Sequence, residues 1–188
     1  MIKSKKCKIS GCENERFANT SLCYSHYIEH EKEKKAKKEE KAIAKLNDKI
    51  KKQAQKDLWR IVHNRVWKLM SEYIRTKDAD EFGYNTCYTC GARKHWKELQ
   101  CGHYKHDKLD FDERNLKPQC YRDNNFLSGR LDVYTVNLIR DYGMDWLNKL
   151  SEDAQKSSKG KDSYSIEEML EIEKDLKSKL EAIRKRIN

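Results

Sequence analysis

The 188 residues are 38% charged and 37% hydrophobic, with a mean hydropathy of −1.09, which allows one modest core and a large solvated remainder. The longest apolar runs are a few residues, far short of the roughly 18 to 20 that a bilayer span requires, so a membrane protein is excluded. Forty-one Lys and Arg against 31 Asp and Glu leave a net charge of +10, and a field of that sign makes nucleic acid the expected partner, bound in a strongly salt-dependent way.

The chain opens Met-Ile-Lys-Ser-Lys-Lys, without the apolar segment of a secretion signal, and the expected setting is a reducing cytoplasm. Seven cysteines there read as metal ligands rather than disulfides. Cys7, Cys12, Cys23 and His26 form Cys-x4-Cys-x10-Cys-x2-His, four soft donors spaced for a closed tetrahedral zinc site. So short a segment cannot bury enough apolar surface to fold alone, so zinc would supply its folding free energy. Residues 1–28 are therefore expected to form a small zinc module. It could touch DNA backbone through Lys8 and Arg16, touch another protein, or simply terminate the helix that follows.

No glycine or proline falls between Cys12 and Phe82, and residues 29–82 are expected to be helical. From Glu31 to Leu58 there are eleven Lys and six acidic residues, with Ile43, Leu46, Ile50 and Ala54 as a thin apolar stripe. This predicts an exposed helix that spaces two modules, contacts DNA, or pairs weakly as a coiled coil. The stripe then thickens through Leu58, Trp59, Val62, Val66, Trp67, Leu69, Met70, Tyr73 and Ile74, which predicts burial. His63 is read as a core or core-edge residue with no catalytic role.

Between Gly83 and about Ser128 the pattern breaks into short alternations with glycines and cysteines, the composition of a metal-pinned β-hairpin region, and residues 83–130 are expected to hold the chemistry. Cys87-Tyr88-Thr89-Cys90-Gly91 is a metal knuckle. Cys120 supplies a third ligand, and by spacing Asp123 is favoured as the fourth, with Cys101 as the competing donor. Residues 131–188 are expected to be helical. A helix runs from Leu131 to Tyr142 and is stopped by Gly143, a short segment spans Met144 to Leu150, and Lys156 to Asp162 is a polar linker. A last helix opens on the capping box Ser165-Ile166-Glu167-Glu168 and presents Ile166, Leu170, Leu176, Leu180, Ile183 and Ile187. That face needs a partner, either the Trp59 helix or a second subunit.

Within residues 100–124 lie Gln100-Cys101-Gly102-His103-Tyr104, Asp110-Phe111-Asp112-Glu113-Arg114-Asn115-Leu116 and Gln119-Cys120-Tyr121-Arg122-Asp123-Asn124. This order resembles an HNH, or ββα-metal, nuclease finger, in which a histidine beside the first strand, a middle asparagine and a helix-borne metal ligand act together. His103, Asn115 and Asn124 fall in those places. The residue types suit the chemistry: a neutral imidazole can take a proton from water, and Mg²⁺ or Mn²⁺ held by hard oxygens stabilises charge on a scissile phosphate.

The run from Thr86 to Leu150 resembles the phage NinG family, also called Rap, of recombination endonucleases. The matching residues are Cys87-x2-Cys90-Gly91, Gly102-His103-Tyr104, Phe111-x-Glu113-Arg114-Asn115, Gln119-Cys120, Asn124, Ser128-Gly129, and Leu138-Ile139 before Gly143. More loosely, the resemblance covers nearly the whole chain. It implies a structure-specific endonuclease that cuts branched DNA, such as Holliday junctions and D-loops, in the cytoplasm of a phage-infected or lysogenic host, alongside phage recombinases. Departures are visible: Asp123 stands where relatives usually have cysteine, Gln100 where they can carry an acid, and Gly102 where the wider superfamily often has an acidic metal ligand. The second catalytic-metal ligand is therefore unassigned among Asp107, Asp110 and Asp112. The loop from Tyr104 to Phe111 is shorter than in relatives.

The expectation is an α+β, mostly helical protein with two structural zinc modules and long flanking helices. His103 is the general base, Asn115 orients the loop, and Asn124 helps to hold Mg²⁺ or Mn²⁺. Branched DNA would be recognised by shape, and a homodimer would suit two coordinated cuts. The competing readings are an HNH endonuclease acting on ordinary duplex or a specific sequence, and a non-catalytic zinc-dependent DNA-binding protein.

Overall fold

The computed structural model describes residues 5–106, 109–156 and 164–187. It is mostly helical with two small antiparallel sheets, as the sequence predicts. The candidate ligand Asp107 and most of the expected polar linker lie outside the described residues. Contacts divide the chain into two compact units, Met1–Lys56 and Asp57–Asn188.

In the first unit, a knot of turns is tied by Cys7 N–H donating to Asn14, Lys8 N–H to Ser21 and Arg16 N–H to Lys5. The Phe17 ring packs on Tyr24 and Tyr27 at 5.0 and 5.4 Å. Helix α1 (Tyr24–Thr76) starts directly after Cys23 and continues into the second unit. Ile43, Leu46 and Ile50 are all more than half exposed, so the thin stripe has no core to join. Local ion pairs such as Lys34 with Glu31 and Lys35 with Glu39 support this part of the helix.

The second unit is built on the later part of α1, where Val62, Val66, Met70 and Ile74 recur at four-residue steps and are buried. They pack with Cys101, Phe111 and Leu116 and with Met169 and Leu176 of the last helix, α4 (Ile166–Arg186). The α4 apolar face is thus covered by the Trp59 segment of its own chain, with the Trp59 indole N–H donating to Tyr164 O at 2.8 Å. Of the face expected from the sequence, Ile166, Leu176, Leu180, Ile183 and Ile187 are buried or half-buried, and Leu170 departs from it. The buried stripe is Met169, Glu173, Leu176 and Leu180, while Leu170 is 45% exposed. The sequence misleads here because the stripe passes through a charge: Glu173 is buried, held by Arg65 at 2.6 Å and Lys177 at 2.6 Å. The capping box is formed, with the Ser165 hydroxyl accepting from Glu168 N–H and the Glu168 carboxylate accepting from Ser165 N–H.

Strands β1 (Tyr84–Thr86) and β2 (Arg93–His95) make one hairpin. Strands β3 (Leu99–His103) and β4 (Leu116–Cys120) make the other, pairing Leu99 with Cys120 and His103 with Leu116. A π-helical turn (Arg122–Phe126) follows β4, then α2 (Leu131–Tyr142), stopped at Gly143 with φ of 87°, and α3 (Met144–Lys156), which extends beyond the short segment expected. Tyr134, Leu138 and Leu147 bury a second core patch between α2 and α3. Residues 83–130 thus hold both hairpins and the π-helical turn, and the first α-helix after them begins at Leu131.

Candidate metal centres and catalytic hairpin

Two clusters have the donor chemistry of zinc sites. In the first unit the ligand atoms of Cys7, Cys12, Cys23 and His26 all lie within 4.8 Å of one another. His26 Nδ1 is 3.4 Å from Cys7 Sγ and 3.3 Å from Cys23 Sγ. The Ser25 hydroxyl and the His26 backbone N–H lower the Cys23 thiol to about 6, a thiolate at neutral pH and ready for a metal. Arg16, a candidate DNA contact, spends its Nε hydrogen bond on Lys6 O.

In the second unit Cys87, Cys90, Cys120 and Asp123 converge in the same way. Cys90 and Cys120 sulfurs are 3.7 Å apart, and Asp123 Oδ2 is 3.9 Å from Cys87 Sγ. Burial raises the Asp123 carboxyl, but hydrogen bonds from Thr89, at 2.6 Å, and Cys90 together with the charges of Arg130 and Arg122 outweigh it and hold the group below the ordinary carboxylate range. The competing donor Cys101 is elsewhere. It is packed in the core with Val62 and Phe111, and burial pushes its thiol up to about 12. Both clusters fit zinc: three thiolates with one imidazole or carboxylate is an ordinary tetrahedral donor set.

His103 ends β3, and the loop it opens is closed by Asn115. That side chain is fully buried; its Oδ1 accepts from Lys105 N–H at 2.7 Å and its Nδ2 donates to Lys105 O at 3.0 Å. Tyr104 N–H donates to Asn115 O, completing the clamp. Position 102 needs glycine, because a Cβ there would lie 2.6 Å from Gln119 Cδ. Gln119 is locked across it by hydrogen bonds to Thr89 and Gly129.

Around His103 the structure assembles partners that sequence spacing did not reveal. Its ring stacks on Trp67 at 4.7 Å, and its Nε2 lies 3.7 Å from Asp110 Oδ1. The other oxygen of Asp110 is hydrogen-bonded by His63 Nε2 at 3.0 Å, and His63 stacks on Trp59. His63, read as core-edge filler, therefore braces the carboxylate that faces the candidate base. The hydrogen bond from His63, opposed by burial, lowers the Asp110 carboxyl below its ordinary value. The legible signal was Trp59, His63 and Trp67 at four-residue steps, a polar ring in an aromatic ladder. Of the other acidic candidates, Asp112 is engaged by Arg114 at 2.6 Å.

Asn124 does not join this group. Its Nδ2 donates to Gln100 Oε1 at 2.7 Å, and Asn125 Nδ2 donates to the same oxygen. Gln100 and His103 are three residues apart on β3 and so have opposite parity, which sends their side chains to opposite faces of an extended strand. The clamp and the base share one neighbourhood, and the amide cluster of Gln100, Asn124 and Asn125 forms another. That cluster offers hard oxygens of the type Mg²⁺ takes, but neutral ones, so an ion there would depend on water and substrate phosphate for most of its coordination.

Among the described residues no helix is long and apolar enough to cross a membrane. The profile of the family described as "Bacteriophage Lambda NinG protein" matches residues 2–186. Proteins named "Protein ninG" from Escherichia phage 933W and Salmonella phage P22 are each 29% identical over 119 residues, 61% of this chain and 54% of theirs. The Escherichia phage lambda protein of that name is also 29% identical over 119 residues, 53% of its length. The chain thus spans about half the length of the curated relatives it matches, and no solved structure matches it. A family profile covering nearly every residue, including both cysteine clusters and the clamped hairpin, places this chain in the NinG family.

Proposed function

We propose that this chain is an endonuclease that hydrolyses phosphodiester bonds in branched DNA, with zinc structural at both cysteine clusters. The observation that carries the reading is the loop beside His103, closed by buried Asn115 and faced by Asp110, which His63 holds. The Asp110 carboxylate, 3.7 Å from Nε2, would stabilise the positive charge that the His103 ring gains when it takes up a proton. His103 would then take a proton from water as the water oxygen attacks phosphorus. The bond to the 3′ oxygen breaks, and solvent returns a proton to it. Gln100 and Asn124 would hold Mg²⁺ or Mn²⁺ on the other face of β3, where it would supply positive charge to the DNA backbone. Backbone affinity would come from the +10 charge, in the phage-infected host where NinG relatives occur.

The test is Mg²⁺-dependent cleavage of an end-labelled four-way junction beside its linear duplex arms. Junction cutting that is lost in His103→Ala while binding persists is expected. Equal cutting of the arms would make the chain a general duplex endonuclease. A second reading, a zinc-dependent DNA-binding protein without catalysis, is favoured by the neutral Gln100 and by the opposite parity of Gln100 and His103. Tight junction binding with no cutting under any divalent cation would establish it. The apolar face that argued for a homodimer is covered within the chain, so the proposal is made for a single copy.

A further inference from the structure

The π-helical turn that carries Asn124 also carries a surface that neither metal chemistry nor core packing uses. π-Helical turns are rare and recur at functional positions. This one leaves Tyr121 56% exposed, Phe126 73% exposed and Leu127 41% exposed. The Tyr121 and Phe126 rings meet edge to face, centroids 5.4 Å apart at 82°, so the pair is a preformed aromatic ledge rather than two loose side chains.

The electrostatic setting of the ledge selects its occupant. Between Tyr121 and Leu131 the only acidic residue is Asp123, which is 1% exposed and turned into the second cysteine cluster. Arg122 is exposed beside the ledge and Arg130 lies 3.6 Å from Asp123. The remaining polar side chains are Asn124 and Asn125, both bonded to Gln100, and the exposed Ser128. An aromatic surface flanked by a cation and amides, on a turn that exposes no carboxylate of its own, complements a nucleobase next to its phosphate. In continuous duplex both faces of every base are covered by neighbours. A ledge of this kind can be used only where a base has lost one neighbour, as at a branch point.

We propose that the Tyr121–Phe126 ledge stacks on the unstacked base at a DNA branch point and thereby supplies the preference for branched over continuous DNA. Uniform basic charge cannot make that distinction, because it reads phosphates alike in either substrate. The inference rests on the reading of this chain as a DNA-binding enzyme and adds the residues that would choose the substrate.

The experiment uses the zinc-loaded full chain without Mg²⁺. Fluorescence anisotropy gives Kd for a four-way junction carrying 2-aminopurine at the branch point and for a linear duplex of equal length. Phe126→Ala is expected to weaken junction binding about ten-fold, the size of one lost aromatic–base stack, and to leave duplex binding within about two-fold. Phe126→Trp should retain the preference, and the 2-aminopurine emission should change on wild-type binding but not on Phe126→Ala binding. Arg122→Ala should weaken both substrates alike. Phe126→Ala that binds junction as well as wild type, or loses both substrates equally, overturns the ledge while leaving the endonuclease reading intact. A wild-type chain that binds neither DNA overturns both. Phe126 is outside the core, so an unchanged melting curve for the variant confirms that it folds.

Discussion

Asn115→Ala isolates the clamp on which the catalytic reading depends. The side chain makes two well-formed hydrogen bonds to Lys105, at 2.7 and 3.0 Å, and a longer one to Leu109 O at 3.4 Å. Each good bond contributes about 1 kcal/mol net, and stranding the buried ends of the Lys105 pair adds to the loss, for a total of about 2 to 3 kcal/mol. For a unit of this size roughly 4 °C of Tm accompanies each kcal/mol, so a drop of about 8 to 12 °C is expected. The assay is thermal unfolding of the zinc-loaded protein followed by circular dichroism, with junction cleavage measured well below the transition. At that temperature cleavage should fall more than binding, because the loop after His103 loses its anchor while the basic surfaces are unchanged. A Tm within about 2 °C of wild type would refute the clamp argument.

Metal analysis should return two zinc ions per chain; Asp123→Cys should keep both and Asp123→Ala should lose one, whereas Cys101→Ala should keep both. In the same protein Cys101 should resist iodoacetamide at pH 8 for as long as the fold persists, since its thiol sits near 12. Asp110 carries a pH signature: its folded value is depressed, so its contribution to stability is complete above the unfolded value of about 4 and is lost as pH falls through the folded one. Urea midpoints of wild type and Asp110→Asn should therefore differ at pH 6 and converge in acid; a gap that persists to pH 2 would remove that carboxylate as the cause. Gln100→Asp puts a charge among the amide oxygens and should lower the Mg²⁺ concentration for half-maximal cleavage several-fold; no shift would take Gln100 and Asn124 out of cation binding.

The metal clusters were legible in the sequence because their chemistry is local: Cys7 to His26 spans twenty residues, and the Cys87 knuckle needed only a hairpin to meet Cys120 and Asp123. The same holds for the Asn115 loop and the Ser165 capping box. His63 was legible only as a polar ring between Trp59 and Trp67 and not by its role, since its contact with Asp110 joins positions 47 apart and depends on α1 packing against β3. Periodicity gave most of the α4 face but placed Leu170 on it and missed Glu173, a buried carboxylate that Lys177 and, from 108 residues away, Arg65 hold. The opposite parity of Gln100 and His103 was implicit in their spacing, and it became informative only once the residues between them proved to be strand.

Glu113 stands two positions before the clamp residue, and its carboxylate is shared by Tyr73 at 3.2 Å, Lys77 at 3.3 Å and Lys179 at 3.2 Å. Burial alone would raise that carboxyl, and the two ammonium groups more than reverse it. Helix α1, the loop before β4 and the C-terminal helix are thereby joined at one acidic residue. The hairpin is consequently not portable: residues 83–130 grafted onto another scaffold would carry the cysteine cluster and the catalytic types but leave behind the foundations supplied by residues 59–77 and 164–187. Natural variation in the far C-terminal helix would accordingly register as altered cleavage, although no residue there need touch the substrate.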